Sequence, residues 1–524
     1  MSAAVGVAKF SILNKKIGDQ FYLERRSLTA FQLSLFYLAI PAFLFLFTFS
    51  KETFGYPIAA MIAVSLWFSV RVERHTDDLR LYLLALVPAL GTAWLAGFPS
   101  GPFAWDWIKH WALINALADN DWPVVIPLDG AMAHLRFYIG AYLVPAALHK
   151  AVPALPVSVT TGIWFVIGYA LVFRIVSVPL ARRGRAACFS GMLALLLFAG
   201  ADFFAENGYR LVEGWPIKDW FGIHYEMWFA NATHAQMQYS SMLVGLLWVP
   251  HQSIATFIVA AMIVLNRNPR SIEQSLIAFG LLALWSPYGM IGLLPLMLVR
   301  FVREDTCWFQ PRVIFAGVSA GAFALLVAFY LSTDIPKGGM CVAVTCIFEH
   351  VADFFDLMSF WFVDLSLFWI VELAVFGLIL RTKMLADVMC LVSTLTLLLI
   401  PFFAGETADL VMRASMGPVF VLVVRSVETL ATWRLQNKRI KTLWFLALVL
   451  SVPTAASEVI YQLENGQAHA RTRQGDPLNQ RWYRVFADSP QINAQQFFDI
   501  CDWKYFSQYF IRRTPVGIRN KTEP

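Results

Sequence analysis

Charge is scarce in this chain. Asp, Glu, Lys and Arg make up 15% of its 524 residues, against about 25% in a soluble globular protein. That shortage excludes a surface made wholly for water. The net charge of +6 is small, so there is no basic face that would bind nucleic acid. Cysteine is sparse as well, and the six present add no motif. What the chain has in excess is apolar side chains, at 58% against an average of about 45 to 50%. Such an excess cannot be hidden in a water-soluble core, so lipid solvates much of the surface. The N-terminus does not read as a cleavable signal peptide, because polar and mixed residues occupy 1–28 and no small-residue cleavage site follows the first apolar run. That run is read as a retained anchor.

Apolar runs near spanning length fall at 29–49, 54–70, 79–97, 157–178, 187–204, 240–265, 313–332, 357–379, 385–404, 416–432 and 442–460. Two shorter runs between 272 and 302, broken at Ser286-Pro287, make a tight hairpin and bring the count to about 13 crossings. The expected class is an all-α integral membrane protein. Its polytopic domain covers 29–461, with a segment 1–28 before it and a polar tail 462–524 after it.

Lys and Arg set the orientation. They collect in alternate connections, such as Lys15, Lys16, Arg25 and Arg26, then Arg182, Arg183 and Arg185, then Arg434, Lys438, Arg439 and Lys441. Those connections are the cytoplasmic side, which puts the N-terminus inside the cell. The other connections, 98–156, 205–239, 333–356 and 405–415, are aromatic-rich and poor in base, and so face outward together with the tail. The scheme holds if the short run at 137–152, with Pro145, His149 and Lys150, lies along the outer surface as an interfacial helix. The expected location is a multi-pass position in a cell membrane, the bacterial inner membrane. Cys341 and Cys346 share an outer connection and can form a short-loop disulfide there or stay apart.

Several outer segments carry chemistry. In the first long loop, a helix over 106–118 places Asp106, Lys109 and His110 on one face, with Trp107, Trp111 and Ile114 on another. Such a helix is either a site or a surface helix whose charges stay wet and whose tryptophans join the interfacial belt. A second loop holds His224, Glu226 and His234 among Trp215, Trp220, Tyr225 and Trp228. Aromatic faces stack on sugars and His or Glu handle protons, although interfacial anchoring explains the tryptophans equally well. No recognised metal-ligand spacing appears among them.

Two interruptions lie inside apolar runs. Pro250 removes a helix hydrogen bond where His251 and Gln252 supply polar groups. Trp285-Ser286-Pro287-Tyr288 caps the hairpin and can floor a cavity. Polar groups at such depth either line a cavity or satisfy a kinked backbone. Finally, Asp409 and Arg413 stand in a short outer connection. Arg413 can grip a lipid phosphate or pair with Asp409 along one helix face.

With these residues in place, the chain resembles the GT-C superfamily of polytopic glycosyltransferases. The likeness lies in an acidic residue in the first long outer loop, then a surface helix, then a span returning to a basic cytoplasmic turn: Asp106, 137–152, and 157–178 ending at Arg182. It is also similar to uncharacterised bacterial membrane proteins sharing Asp106-Trp107, Lys109-His110, Trp122-Pro123, Pro250-His251-Gln252, Ser286-Pro287 and Asp409 through Ser415. Together these motifs cover most of the chain up to about 420. The resemblance implies a GT-C-like bundle whose outer loops carry interfacial helices. It implies transfer of a sugar from a polyprenyl-phosphate donor to a hydroxyl acceptor on a lipid, glycan or protein at the outer face. Asp106 then takes the acceptor proton, and Arg413, Lys109 and His110 stabilise the departing phosphate. Asp409, His251, Gln252, His224, Glu226, His234 and Tyr288 complete the expected substrate-binding set. No cofactor beyond the lipid-linked sugar is required; a divalent metal is compatible with this chemistry, but no residue spacing supports one. Two other classes fit the same outline: a transporter or flippase built on the broken helices, and a polymerase or ligase of lipid-linked glycans.

Overall fold

Lipid offers no partners for backbone polar groups, so apolar runs of spanning length fold as helices. The computed structural model describes residues 29–70, 79–98, 107–128, 131–214, 224–227, 238–267, 270–303, 309–331, 388–403, 409–432, 446, 449–464 and 498–499. In chain order the main helices are α1 (Ala30–Thr48), α2 (Glu52–Ser69), α3 (Leu79–Leu95), α4 (Trp107–Asp119), α5 (Gly140–Ala151), α6 (Val157–Ser177), α7 (Arg185–Leu197) and α8 (Asp202–Val212). They continue as α9 (Met242–Trp248), α10 (Pro250–Leu265), α11 (Ser271–Leu281), α12 (Pro287–Arg303), α13 (Pro311–Leu331), α14 (Val388–Leu399) and α15 (Asp409–Thr432), with α16 over 449–464.

Five helical stretches among the described residues are long and apolar enough to cross a membrane: Ala30–Thr48, Val157–Arg183, Arg185–Val212, Pro311–Leu331 and Leu410–Glu428. Four shorter apolar helices accompany them. The protein is therefore a mostly helical, multi-pass, membrane-embedded one. The outward face of α3 shows what lipid must cover, since Leu83, Val87, Leu90 and Trp94 all stand exposed on it.

Several elements depart from the sequence expectation. The run 187–204 is not one rod: α7 stops at Leu197 and α8 begins at Asp202. Helix α15 starts at Asp409, so much of the connection 405–415 is the first turns of a helix, and Arg413 lies inside it. Helix α4 does not lie wet on a surface. Trp107, His110, Trp111, Leu113, Ile114 and Leu117 are all buried, because α4 packs on α5 and α6. The α5 run turns inward likewise: Gly140 to Ala146 are buried against α1, α4 and α6. Protein, not lipid, meets its apolar side.

A small antiparallel sheet adds to the helices. Strands β1 (Val125–Leu128) and β2 (Ala131–Leu135) form a hairpin in the first long loop. The tail supplies β3 (Phe498–Asp499), with Leu135 opposite Phe498 and His134 opposite Asp499. This pairing requires the tail and the first loop to share one side of the membrane. Cys188 is buried and forms no disulfide among the described residues; Cys341 and Cys346 lie outside the described residues, as does the run 357–379.

The breaks that matter most are next to proline. Helix α9 ends at Trp248 and α10 restarts with Pro250 as its first residue, where the missing N–H costs nothing. Ser286 precedes α12 and its hydroxyl accepts the Gly289 N–H at 3.1 Å, capping the helix that Pro287 opens. Helices α12 and α15 approach closely at Gly292, where a Cβ would meet the Ala414 carbonyl oxygen at 1.8 Å.

Candidate functional site

The helix breaks place side chains from five separated segments in one buried cluster. His110 of α4 is 0% exposed and His251, in the first turn of α10, 1%. Their ring centroids lie 4.2 Å apart. The His110 Nδ1 and the Tyr142 hydroxyl are 2.8 Å apart. Gln252 organises the centre: its Nε2 donates to the Tyr138 hydroxyl at 3.0 Å and reaches the His251 Nε2 at 3.1 Å. Its Oε1 accepts from the Ser286 hydroxyl at 3.1 Å. With the amide donating, the His251 Nε2 is an acceptor nitrogen.

Arg413 closes the cluster from α15. Its Nη1 donates to the Tyr138 hydroxyl at 2.6 Å, and its guanidinium lies 5.8 Å from the Tyr138 ring centroid and 5.9 Å from that of Tyr288. A cation held between two aromatic faces and a phenol keeps its charge at low cost. The arrangement therefore offers a fixed positive charge, two imidazoles and a row of hydroxyl and amide groups, the equipment for binding an anionic head group and polar hydroxyls.

A second polar cluster lies one aromatic layer away. Trp107 stands between them: its ring is 5.2 Å from that of His110 and 6.0 Å from that of His251. Its Nε1 donates to the Trp248 carbonyl at 3.0 Å, a group the break after α9 would otherwise leave open. The Trp248 ring stacks on His224, centroids 4.6 Å apart. Trp248 Nε1 donates to Glu458 Oε1 at 2.5 Å, Gln462 Nε2 donates to the same oxygen at 2.8 Å, and His224 Nδ1 meets Glu458 Oε2 at 2.6 Å.

Glu226, two residues beyond His224 and 3% exposed, accepts the Ser241 N–H on Oε2 at 3.0 Å. Among the described residues its Oε1 has no hydrogen-bond partner. Burial, and next the neighbouring Asp202 carboxylate, push the Glu226 carboxyl well above the ordinary glutamate range, with Glu458 adding to the same direction and the Ser241 bonds opposing it.

Of the expected residues, His110, His251, Gln252, Tyr288 and Arg413 thus meet in the first cluster, and His224 and Glu226 in the second. Asp106 and His234 lie outside the described residues. Lys109 and Asp409 occupy α4 and α15, their side chains also outside the description. Among the described residues no group of three His, Cys, Asp or Glu side chains is set to hold a metal ion. Sequence reasoning missed Tyr138, Tyr142 and Glu458. Glu458 had a signal, since it is a lone acid in the apolar run 442–460, and ionisable groups at such depth mark function. Tyr138 had none, because its partners come from 114 and 275 residues away. No family model, curated protein or solved structure matches the chain.

Proposed function

We propose that this protein is a membrane glycosyltransferase that moves a sugar from a polyprenyl-phosphate donor to a hydroxyl acceptor at the extracytoplasmic face. The observation that carries the reading is the Arg413 guanidinium, buried between Tyr138 and Tyr288 beside His110, His251 and Gln252. In the reaction the bond from the sugar to phosphate breaks and charge grows on the phosphate oxygen. A preorganised cation in a water-poor place stabilises that charge most. The amide, hydroxyl and imidazole groups around it match the hydroxyls of a sugar. Asp106 enters through the sequence resemblance alone, as the carboxylate for the acceptor proton.

Depth supports a lipid-borne substrate over transport. With basic ends inside, α10 (Pro250–Leu265) rises about 21 Å from Leu265 to His251 at about 1.5 Å per residue. In a hydrocarbon core about 30 Å thick that lies beyond the midplane, toward the outer interface that holds a lipid phosphate, whereas transporters build their sites near the midplane. The GT-C-like architecture and about 13 crossings belong to the same proposal. The test is incubation of purified protein with radiolabelled polyprenyl-phosphate sugars, alongside Arg413→Ala and Asp106→Asn. Transfer by the wild type that Arg413→Ala abolishes is expected. No transfer with any donor removes the reading and leaves transport, and equal transfer by Asp106→Asn removes that residue alone.

A further inference from the structure

Helix α8 is turned inside out. On one side Phe204, Leu211 and Val212 stand 46%, 63% and 85% exposed, whereas on the other Asp202, Glu206, Asn207 and Arg210 are buried. A helix lying in water does the reverse, so α8 gives its apolar side to lipid and its polar side to the protein. The break after α7 is held by two hydroxyls of α16. Ser451 accepts the Ala199 N–H at 2.9 Å and donates to the Leu197 carbonyl at 2.5 Å. Thr454 accepts the Phe203 N–H at 3.2 Å and donates to the Gly200 carbonyl at 3.0 Å. The face of α16 that bears them continues to Glu458. The polar side of α8 thus joins the second cluster, where the Asn207 amide donates to the Tyr225 hydroxyl at 3.2 Å.

Asp202, Glu206, Glu226 and Glu458 gather there with two bases, and each base meets one acid: Arg210 Nε lies 2.6 Å from Glu206 Oε1, and His224 Nδ1 2.6 Å from Glu458 Oε2. Among the described residues the balance is acidic. Glu226 is 3% exposed, and among the described residues its Oε1 has no hydrogen-bond partner. Burial first, then the Asp202 charge and after it that of Glu458 raise its pKa, so its carboxyl is turned toward theirs. A buried acceptor left without a donor is costly, and an apolar side chain would serve packing better. We propose that this cluster binds a primary ammonium group, which donates one N–H to Glu226 Oε1 beside the Asp202 carboxylate. An ammonium has three donors and no acceptor, and so answers the acidic excess and the open oxygen together; a hydroxyl would leave the charge uncompensated. Among the described residues no three side chains are set to hold a metal ion. The site stands one aromatic layer from the Arg413 cluster, behind the Trp107 and Trp248 rings, and does not rest on sugar transfer. Glu226 holds a proton before the ligand arrives and gives it to solvent when the cation docks, so one proton leaves for each ammonium bound. Tyr225 and Tyr461 are the other titratable groups around it. The amine comes from a lipid head group, past the lipid-facing side of α8, or from solution at the outer face.

The experiment titrates the full-length protein, in nanodiscs of phosphatidylglycerol, with ethanolamine and with choline, whose trimethylated nitrogen has no N–H. A second arm adds phosphatidylethanolamine or phosphatidylcholine to the discs and counts retained lipid by native mass spectrometry. Saturable binding of ethanolamine over choline is expected if the amine is soluble, and retention of phosphatidylethanolamine over phosphatidylcholine if it is lipid-borne. Below the raised Glu226 pKa the affinity should rise about tenfold per pH unit, the signature of one proton released. Glu226→Gln should weaken binding at least about tenfold, the low end for a hydrogen bond to a charged group, and remove the pH slope. No preference for the primary amine in either arm overturns the proposal, and so does a Glu226→Gln protein with wild-type affinity and slope. The choline comparison uses wild-type protein and stands even where the variant fails to fold.

Discussion

Replacing Arg413 by methionine and Tyr138 by phenylalanine, singly and together, isolates the bond that anchors the proposed phosphate site. Tyr138 accepts two donors, Arg413 at 2.6 Å and Gln252 at 3.0 Å. Tyr138→Phe alone therefore removes the shared acceptor of both, and will destabilise more than Arg413→Met. The double-mutant cycle cancels the Gln252 part. Interhelical hydrogen bonds between side chains in membrane proteins average about 0.6 kcal/mol and reach about 1.7. Bonds to charged groups are worth about 1.5 to 3 kcal/mol in soluble proteins. A short, charge-assisted bond at 5% exposure belongs near the top of the membrane range, so the expected coupling is about 1.5 kcal/mol. Reversible unfolding in mixed micelles measures it. Coupling within about 0.5 kcal/mol of zero, the scatter of independent sites, would refute the claim that these two residues act as a unit.

Gly292→Ala should cost more than the 1 to 3 kcal/mol or so typical of overpacking, because its new methyl meets backbone of α15 at 1.8 Å; thermal unfolding reads this, and a neutral result would deny the close approach. Trp107→Phe removes the donor to the buried Trp248 carbonyl, with an expected loss of about 1 to 3 kcal/mol by the same assay. Glu226 binds its proton more tightly folded than unfolded, since its pKa is raised. Its contribution is therefore complete below the ordinary glutamate pKa and is lost as pH climbs toward the raised value; Glu226→Gln should flatten that fall, and an unchanged stability profile would contradict it. A thiol at Asp119, exposed at the end of α4, should react with an impermeant maleimide from outside intact cells; reaction only from the cytosol inverts the orientation.

The five span-length helical stretches were legible because lipid enforces length, and the two proline breaks were legible because a missing N–H has one consequence whatever surrounds it. Other features depended on what covers a surface. The spacing of His110, Trp107 and Trp111 on a helix could be read, but not that α5 and α6 would bury the histidine along with the tryptophans. The start of α15 at Asp409 was half legible: the spacing of Asp409 and Arg413 fits one helix face, but both interrupt the hydropathy that marks the span. Strand β3 was invisible, since its partner lies more than 360 residues away in the first loop. The cluster itself was half legible: His110, His251, Gln252 and Arg413 stood out as polar groups in apolar surroundings, whereas Tyr138 looked like one more aromatic residue.

The indole of Trp107 is a fastener as well as a wall. It holds the first loop to the carbonyl left spare by the interruption at Val249, so that helix cannot lift away without opening both polar clusters together. Breaking that one bond would therefore loosen the packing of the Arg413 cluster and of the His224–Glu458 pair together.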